Sequence, residues 1–309
     1  MVTIRPACAA DIAGIHNCWL LTDYPDPAER SVKAQLGIAP WFPHLFHSGT
    51  LLVAEVDGMI VGFAGTQTRG RVCYLADCFV RLDWQSRGVA RALLEQLHAD
   101  PTLIHCTLAS SDPRAASRYV RVGMTPQFPM FMLESTPRMQ HPAPLVTTRV
   151  CTDMEEWLAY DQRLIGHDRR VDIAHMCDQT TAVLLQMWDG ARLLGQALAH
   201  QRRYDRAPHG KYNIGPVAAF QRADAAAVAQ SAVAWTLQHG ATWVNLRIPG
   251  PHPALPLLLA AGMQTQFVEL FCASRVWFDP TCYAPSGIID RKSTRLNSSH
   301  EWISRMPSS

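Results

Sequence analysis

The chain has 309 residues, 48% of them hydrophobic, and this length allows two domains that each bury a core. The sequence contains no run of 18 or more apolar residues, and its N-terminal segment lacks a basic region followed by an apolar stretch. Neither a membrane span nor a secretory signal is indicated, so we expect a cytoplasmic protein.

The last twenty residues, 290–309, look like the translation of a sequencing adapter, and their polar composition predicts disorder. They hold four of the 28 Lys and Arg residues and two of the 26 Asp and Glu residues, which leaves 24 of each charge elsewhere. Because these charges balance and the sequence has no local run of Lys and Arg, we do not expect the protein to bind nucleic acid. His44 and His47 form the one close histidine pair and have no nearby Cys or carboxylate partner, so we expect no metal site.

The first clear pattern along the chain is LLVAEVDGMIVGFAGTQ at 51–67, which predicts two strands joined at Asp57-Gly58. The segment 74–97 follows, with an apolar strand, a short loop and a helix that begins behind Gly88. Such a loop exposes unpaired N–H groups at the positive end of the helix dipole, which suits a diphosphate. A glycine lets the phosphates approach the backbone closely.

The same design recurs later in the chain. A second Asp-Gly pair lies 132 residues after the first, and the Gly-Met pair at 123–124 recurs 139 residues later. Both copies give the order helix, hairpin, strand, helix, strand, helix, strand, which predicts a tandem repeat of one α/β unit. A Pro-rich segment at 134–145 marks the boundary between the copies.

The first copy resembles the GNAT superfamily of N-acetyltransferases. Val80 to Ala90 is similar to the acetyl-CoA motif V-x-P-x-x-[RQ]-x-x-G-x-[GA], with Leu82 in place of proline, and Asp112 to Met124 is similar to N-x-x-A-x-x-x-Y-x-x-x-G-[FM]. The resemblance implies acetyl-CoA as co-substrate and cofactor contacts from ten residues. These are Phe79, Val80, Leu82, Gln85, Ser86, Arg87, Gly88, Val89, Ala90 and Asp112.

The resemblance also implies catalytic roles. Tyr119 occupies the place of the family's usual proton donor to the departing thiolate, although a packing role is the alternative. Asp77 is the candidate base, since Ala76 stands where some relatives have a carboxylate. Binding of a cationic amine, or a purely structural role as a hydrogen-bonded polar group of the strand, is the alternative for Asp77. The segment 22–47 caps the acceptor site in the family. It supplies the candidate pocket residues Tyr24, Asp26, Trp41, Phe42 and His44.

The second copy resembles the degenerate GNAT-like domain that follows an acetyltransferase in many bacterial proteins. It has Asp224 and Ala225 where glycine is needed, and Leu258 where the first copy has Tyr119. A scaffold or a pocket wall is its expected role, with ligand binding by His167, Asp168 and Arg169 as the alternative.

The expected fold class is α/β (α+β), with two tandem GNAT folds, each a central mixed, mostly antiparallel sheet flanked by helices. The expected domains are a catalytic domain at 1–133, a linker at 134–147, a degenerate domain at 148–280 and a tail at 281–309. The expected function is acetyl-CoA-dependent N-acetylation of a small-molecule or amino-acid-like amine by a monomer or homodimer. The alternative is a catalytically weak acyl-CoA-binding sensor, and O-acylation also stays open.

Overall fold

The structure is a computed structural model and describes residues 1–110, 113–137, 139, 142–201 and 210–286. The tail predicted at 290–309 and the motif residue Asp112 therefore lie outside the described residues. None of the described helices is long and apolar enough to cross a membrane.

The first half begins with one strand and three helices, β1 (Thr3–Pro6), α1 (Ile12–Asp23), α2 (Pro27–Ala34) and α3 (Trp41–Ser48). Three antiparallel strands follow, β2 (Thr50–Val56), β3 (Met59–Arg69) and β4 (Val72–Val80). The half ends with α4 (Val89–Leu97), β5 (Ile104–Ala109), α5 (Pro113–Arg121) and β6 (Thr125–Glu134).

The second half repeats this order, as the sequence predicts. Its first elements are β7 (Thr147–Val150), α6 (Met154–Ile165), α7 (Arg170–Gln179), β8 (Ala182–Asp189) and β9 (Arg192–Gln201). Its remaining elements are β10 (Lys211–Ala219), α8 (Arg222–Gln238), β11 (Trp243–Pro249), α9 (Ala254–Ala260), β12 (Gln264–Ala273) and β13 (Tyr283–Ala284).

The predicted hairpins form where the sequence places them. At the first turn, Asp57 and Gly58 both have positive φ, 49° and 78°, as the tight hairpin turns with the right twist require. The second turn joins β8 to β9 beyond the pair Asp189 and Arg192, with Gly190 at φ 56°. The predicted fold class, an α/β (α+β) fold with a mixed, mostly antiparallel sheet flanked by helices, is therefore confirmed.

The described strands form one continuous sheet of thirteen strands rather than two separate sheets. The halves exchange one strand each: β12 lies between β5 and β6, and β6 lies between β12 and β11. Helices cover both faces, so each half has a buried cluster on either side of its strands. Each half of the sheet thus depends on a strand from the other.

The predicted linker and the predicted tail both contain packed residues. Met139, in the linker range 134–147, is buried in the core of the second half. Tyr283–Ala284, in the range given as tail, forms β13 and pairs antiparallel with β10. The domain bounds themselves stay a prediction, since the exchanged strands join the two halves into one sheet.

Candidate active site

The loop after β4 has the geometry of an anion site. Gly88 has φ 82°, in the left-handed region that favours glycine, and Ser86 also has positive φ, 63°. The Gln85 side chain donates from Nε2 to the carbonyl of Val80 at 3.1 Å, which ties the loop to the end of β4. No side chain caps α4, which begins at Val89, so its first backbone N–H groups point toward the loop.

Other predicted cofactor residues surround this helix start. The Arg87 guanidinium lies over the Trp84 ring at 4.7 Å, and Leu82 is 52% exposed. Val89 is buried against the sheet, which fixes the direction of α4, and Ala90 packs partly against the same cluster. A side-chain Cβ at Gly88 would meet nothing within 4 Å, so the space above the helix start is open.

The strands β4 and β5 diverge next to this loop. They pair in parallel only from Val72 to Tyr74, whose partner is Cys106. Beyond that pair, Thr107 donates from its hydroxyl to the carbonyl of Leu75 at 3.0 Å, and the strands separate. We call this opening the first fork. Between that pair and Val80, none of the described strands pairs with this edge of β4.

The two predicted catalytic residues lie on β4 and α5. Tyr119 is buried in the same cluster as Leu75 and Val89, on the side of the sheet that α4 and α5 cover. Asp77 is buried in β4 opposite Gly65. Ala76 has no partner in that register, so it is the extra residue of a β-bulge, which locally changes the direction of the strand.

The candidate pocket residues have structural contacts. Tyr24 and Trp41 pack edge-on against Trp19 at 5.3 and 5.2 Å, and Phe42 is fully buried. Asp26 accepts a hydrogen bond from the Ala28 amide at 3.0 Å as the N-cap of α2. None of these four lines the cavity described next.

A cavity lies between the two halves, on the opposite face of the sheet from α4. It is narrow, because the space within it that the centre of a water molecule can reach is about 30 Å³. The first half contributes Gln67, Arg69, Tyr74, Cys106 and Leu108, and the second contributes Ile165, His167, Arg169, Asp172, Trp277 and Tyr283. Tyr74 and Cys106 are the last pair before the first fork, so the cavity opens at the point where β4 and β5 part.

Asp172 of the second half connects the cavity to the first half. Arg69 binds its carboxylate with two hydrogen bonds of 2.7 Å, and His44 Nε2 lies 2.8 Å from Oδ1. Burial opposes the charge, but the hydrogen bonds from His44 and Arg69 prevail and lower the pKa of Asp172. His175 stacks on His44 at 4.0 Å, and burial lowers its pKa to about 4. His44, a candidate pocket residue, thus anchors a carboxylate of the wall.

A second ion pair supports the same wall. Arg169 contacts Asp161 through hydrogen bonds of 2.7 and 2.6 Å, and both side chains are almost fully buried. Its Nη1 donates to the Tyr283 hydroxyl at 2.7 Å. Burial, and then the nearby Arg169, lower the pKa of His167. His167 and Arg169 line the cavity, whereas the Asp168 side chain accepts a hydrogen bond from the Arg170 amide at the start of α7.

The sequence does not predict that Arg69, Asp172, Trp277 and Tyr283 line one cavity. Arg69 and Asp172 lie on separate halves of the chain, and no local pattern indicates that the two side chains form an ion pair. The described residues contain no group of three side chains that could hold a metal ion.

The second half has a corresponding fork, which the chain itself fills. The strands β10 and β11 pair in parallel from Lys211 to Ile214 and then part. The strand β13 lies there instead, with Val217 opposite Ala284, and the Ala219 amide donates to the carbonyl of Cys282 at 2.8 Å. Where the first half leaves an edge open, the second half has a strand.

Comparison with known proteins agrees with this geometry. Residues 44–129 match the model of the acetyltransferase (GNAT) domain. A putative acetyltransferase from Pyrococcus horikoshii is similar in structure, with a TM-score of 0.67 and 19% identity over 94% of this chain and 96% of that chain. No curated protein matches the sequence.

Two further structures share the fold. A GCN5-related N-acetyltransferase from Sphaerobacter thermophilus has a TM-score of 0.55 and 18% identity, covering 90% of this chain and 97% of its own. A tandem GNAT protein from the clavulanic acid biosynthesis pathway has a TM-score of 0.53 and 14% identity, covering 88% and 98%. The family model thus identifies a GNAT acetyltransferase domain at residues 44–129, and the two halves together have the tandem GNAT fold.

Proposed function

We propose that the protein is an acetyl-CoA-dependent N-acetyltransferase that acetylates the amine of a small-molecule or amino-acid-like acceptor. The observation that carries this proposal is the position of the first fork. It lies between the uncapped start of α4, which suits a diphosphate, and the narrow cavity between the halves, from which we propose that the acceptor approaches. Donor and acceptor would meet where β4 and β5 part.

The reaction is a direct acyl transfer. The bound thioester supplies an activated acyl carbonyl; the amine nitrogen forms a C–N bond to it, the C–S bond breaks and CoA leaves as the thiol. The open edge of β4 offers backbone N–H groups to the carbonyl oxygen as negative charge develops there. Tyr119 gives a proton to the leaving sulfur, and its hydroxyl is a suitable acid for a thiol.

Asp77 is the proposed base, and one substitution separates its two possible roles. If Asp77 removes the proton from the amine, Asp77→Asn lowers kcat, and the remaining activity rises with pH as free amine accumulates. If it only binds a cationic acceptor, KM for the amine rises instead. Full turnover in this variant would exclude both roles.

The experiment that tests the proposed function is thiol release from acetyl-CoA, measured across amines, amino acids and aminoglycosides. We expect release that depends on the acceptor and produces an amide. Release of thiol with an ester product would indicate O-acylation. The proposal is wrong if no acceptor of any class stimulates release while CoA binds normally.

A second candidate function is a catalytically weak acyl-CoA-binding sensor. Ala76 favours it, because the bulge at the first fork carries no carboxylate at a position where relatives have one. Binding of CoA without acceptor-dependent thiol release is the result that this alternative predicts. A cytoplasmic location and a monomeric or homodimeric state remain part of the proposal.

A further inference from the structure

The cavity between the halves connects the first fork with the protein surface. At its inner end, Tyr74 and Cys106, the last pair before the first fork, are only 5% and 0% exposed. Its walls also include His167, which is half-buried between two exposed residues, Gly166 and Asp168. The cavity therefore runs from a closed reaction site to a histidine near solvent.

The size of the cavity suits water. The centre of a water molecule can reach about 30 Å³ within it, and one molecule needs roughly 10–15 Å³, so about two molecules fit. Such molecules need polar partners, and Gln67, His167 and Tyr283 supply polar groups on the walls. With the nitrogen of an acceptor at the first fork, water can lie between that nitrogen and His167.

The charged groups on the walls are committed to ion pairs. Arg69 binds Asp172 and Arg169 binds Asp161, each through two hydrogen bonds of 2.7 Å or less. Burial opposes the charge of Asp172, but the hydrogen bonds from His44 and Arg69 prevail and lower its pKa, so this carboxylate is a poor proton acceptor. Tyrosine and cysteine side chains ordinarily keep their own protons at pH 7 and do not take up another.

His167 differs from these groups. Among the described residues that line the cavity it is the one histidine, and histidine is the side chain that ordinarily changes charge near neutral pH. Burial, and then the charge of Arg169, lower the pKa of His167, against smaller opposite effects of Asp161, the Ile165 carbonyl and Asp172. The imidazole is therefore neutral at pH 7 and can accept a proton.

Contacts with both halves hold His167 at the cavity. A Cβ added at Gly70, in the turn between β3 and β4, would lie only 3.0 Å from the Cβ of His167, so the turn packs closely on this residue. The Trp277 ring lies tilted beside the imidazole, with 6.5 Å between centroids. A residue of the second half is thus fixed beside the reaction site of the first.

We propose that His167 is a proton-relay residue, which carries the proton released by the acceptor amine from the first fork to solvent. This inference rests on the proposed function. The amine nitrogen loses one proton when it bonds to the acyl carbon, and Asp77, the proposed base, is 3% exposed, so a proton taken there must move on. The proton passes through water to a ring nitrogen of His167 and then to bulk solvent. Tyr119 protonates the departing sulfur and regains its proton from solvent.

The pH dependence of kcat tests this role, measured with acetyl-CoA and the best acceptor of the panel of amines, amino acids and aminoglycosides. In the wild-type protein, kcat should fall as the pH drops below the ordinary histidine pKa of 6.5, because a protonated imidazole cannot accept a second proton. His167→Gln keeps a polar side chain that does not titrate in this range. It should lower kcat by about 10-fold or more and remove this part of the profile.

Titration of the acceptor affects both proteins equally, so the difference between their profiles reports on His167. Equal kcat and an unchanged profile in His167→Gln would overturn the inference. His239→Gln is the matched control, since His239 is an exposed histidine of the same half at the end of α8, and it should change neither kcat nor the profile.

Chemical rescue separates a relay from a structural role. His167→Ala leaves room at the surface end of the cavity, and added imidazole should restore part of the lost kcat there, because a free base can take the proton from water. KM for acetyl-CoA should stay unchanged. A loss of kcat that imidazole does not restore at any concentration would assign His167 a structural role and overturn the inference.

Failure of this inference differs from failure of the proposed function. If the wild-type protein forms an amide and His167→Gln matches it at every pH, the inference is wrong and the proposed function stands. If no acceptor of any class stimulates thiol release while CoA binds normally, the proposed function is wrong and the relay is refuted with it.

Discussion

Gly88 meets two requirements at one position. Its φ of 82° belongs to the left-handed region, and the space that a side chain would enter there is open. The turn therefore needs glycine for its backbone, while the empty space suits a ligand. A positive φ occurs at glycine in many turns that bind no ligand, so the conformation of Gly88 does not by itself show that a ligand binds there.

Gly88→Glu should abolish CoA binding in a folded protein, because it puts bulk and negative charge where a diphosphate would approach the start of α4. Gly58→Glu is the matched control, since Gly58 has nearly the same φ, 78°, and equally open space, but lies at the first hairpin turn. Both variants carry similar backbone strain, of about 1–2 kcal/mol. Calorimetry with CoA decides: equal loss of affinity in both variants would mean that strain alone is responsible.

Tyr119→Phe should lower kcat by about 10²- to 10⁴-fold, the usual contribution of one general acid. Acetyl-CoA affinity should change little, because the hydroxyl is needed only when the thiolate leaves. The aromatic ring stays, so the buried cluster around Leu75 and Val89 is kept. Steady-state kinetics alongside calorimetry check this, and an unchanged kcat would assign Tyr119 a packing role.

At the scale of elements, β13 explains how the two halves differ. The second half lacks the glycine loop, and its fork is filled by β13, whose Tyr283 also contacts Arg169 in the cavity wall. The same strand thus fills the fork of the second half and contributes Tyr283 to the wall of the cavity beside the first fork.

The full chain should accordingly bind one CoA, not two. Titration calorimetry should give a stoichiometry of one for the wild-type protein, because β13 occupies the edge of β10 that a second ligand would need. The loss of that single site in Gly88→Glu would assign it to the first half. A stoichiometry of two, or residual binding in the variant, would contradict this assignment.

The sequence is informative where the chemistry is local. Asp57-Gly58 and Gly88 specify turns through their own backbone preferences, so the hairpin, the loop and the repeat could be predicted. Long-range pairings could not: Leu270 pairs with Ala109, and Arg69 binds Asp172, with no local pattern that marks either contact. For the same reason, the sequence does not predict that residues of the second half line the cavity.

At the scale of the whole molecule, the strand exchange joins the halves more strongly than a linker would. The strand β12 completes the sheet beside β5, and β6 completes it beside β11. The ion pair of Arg69 with Asp172 adds charge-assisted hydrogen bonds across the cavity. The cavity walls consequently keep their relative positions only while both halves are folded, and stability belongs to the chain as a unit.

Three histidines make that stability sensitive to acid. Burial lowers the pKa of His98, His175 and His252 to about 4 in the folded protein, from an ordinary value of 6.5. The folded state therefore resists protons that the unfolded chain accepts. Above pH 6.5 the three rings are neutral in both states and do not reduce the free energy of unfolding. As the pH falls from 6.5 toward 4, the unfolded chain binds protons that the folded protein does not, and the free energy of unfolding falls by at most about 1.4 kcal/mol per pH unit for each ring.

Urea unfolding at pH 7.5 and pH 5 should therefore show a lower free energy of unfolding at pH 5. His252→Asn should reduce this difference, because it removes a buried titrating ring while an amide oxygen can still accept the hydrogen bond that the Ala254 amide gives to Nδ1 at 3.2 Å. His47→Asn changes an exposed histidine and is the control for loss of a ring as such. Equal stability of the wild-type protein at the two pH values would show that these histidines are protonated in the folded state, against the effect of their burial.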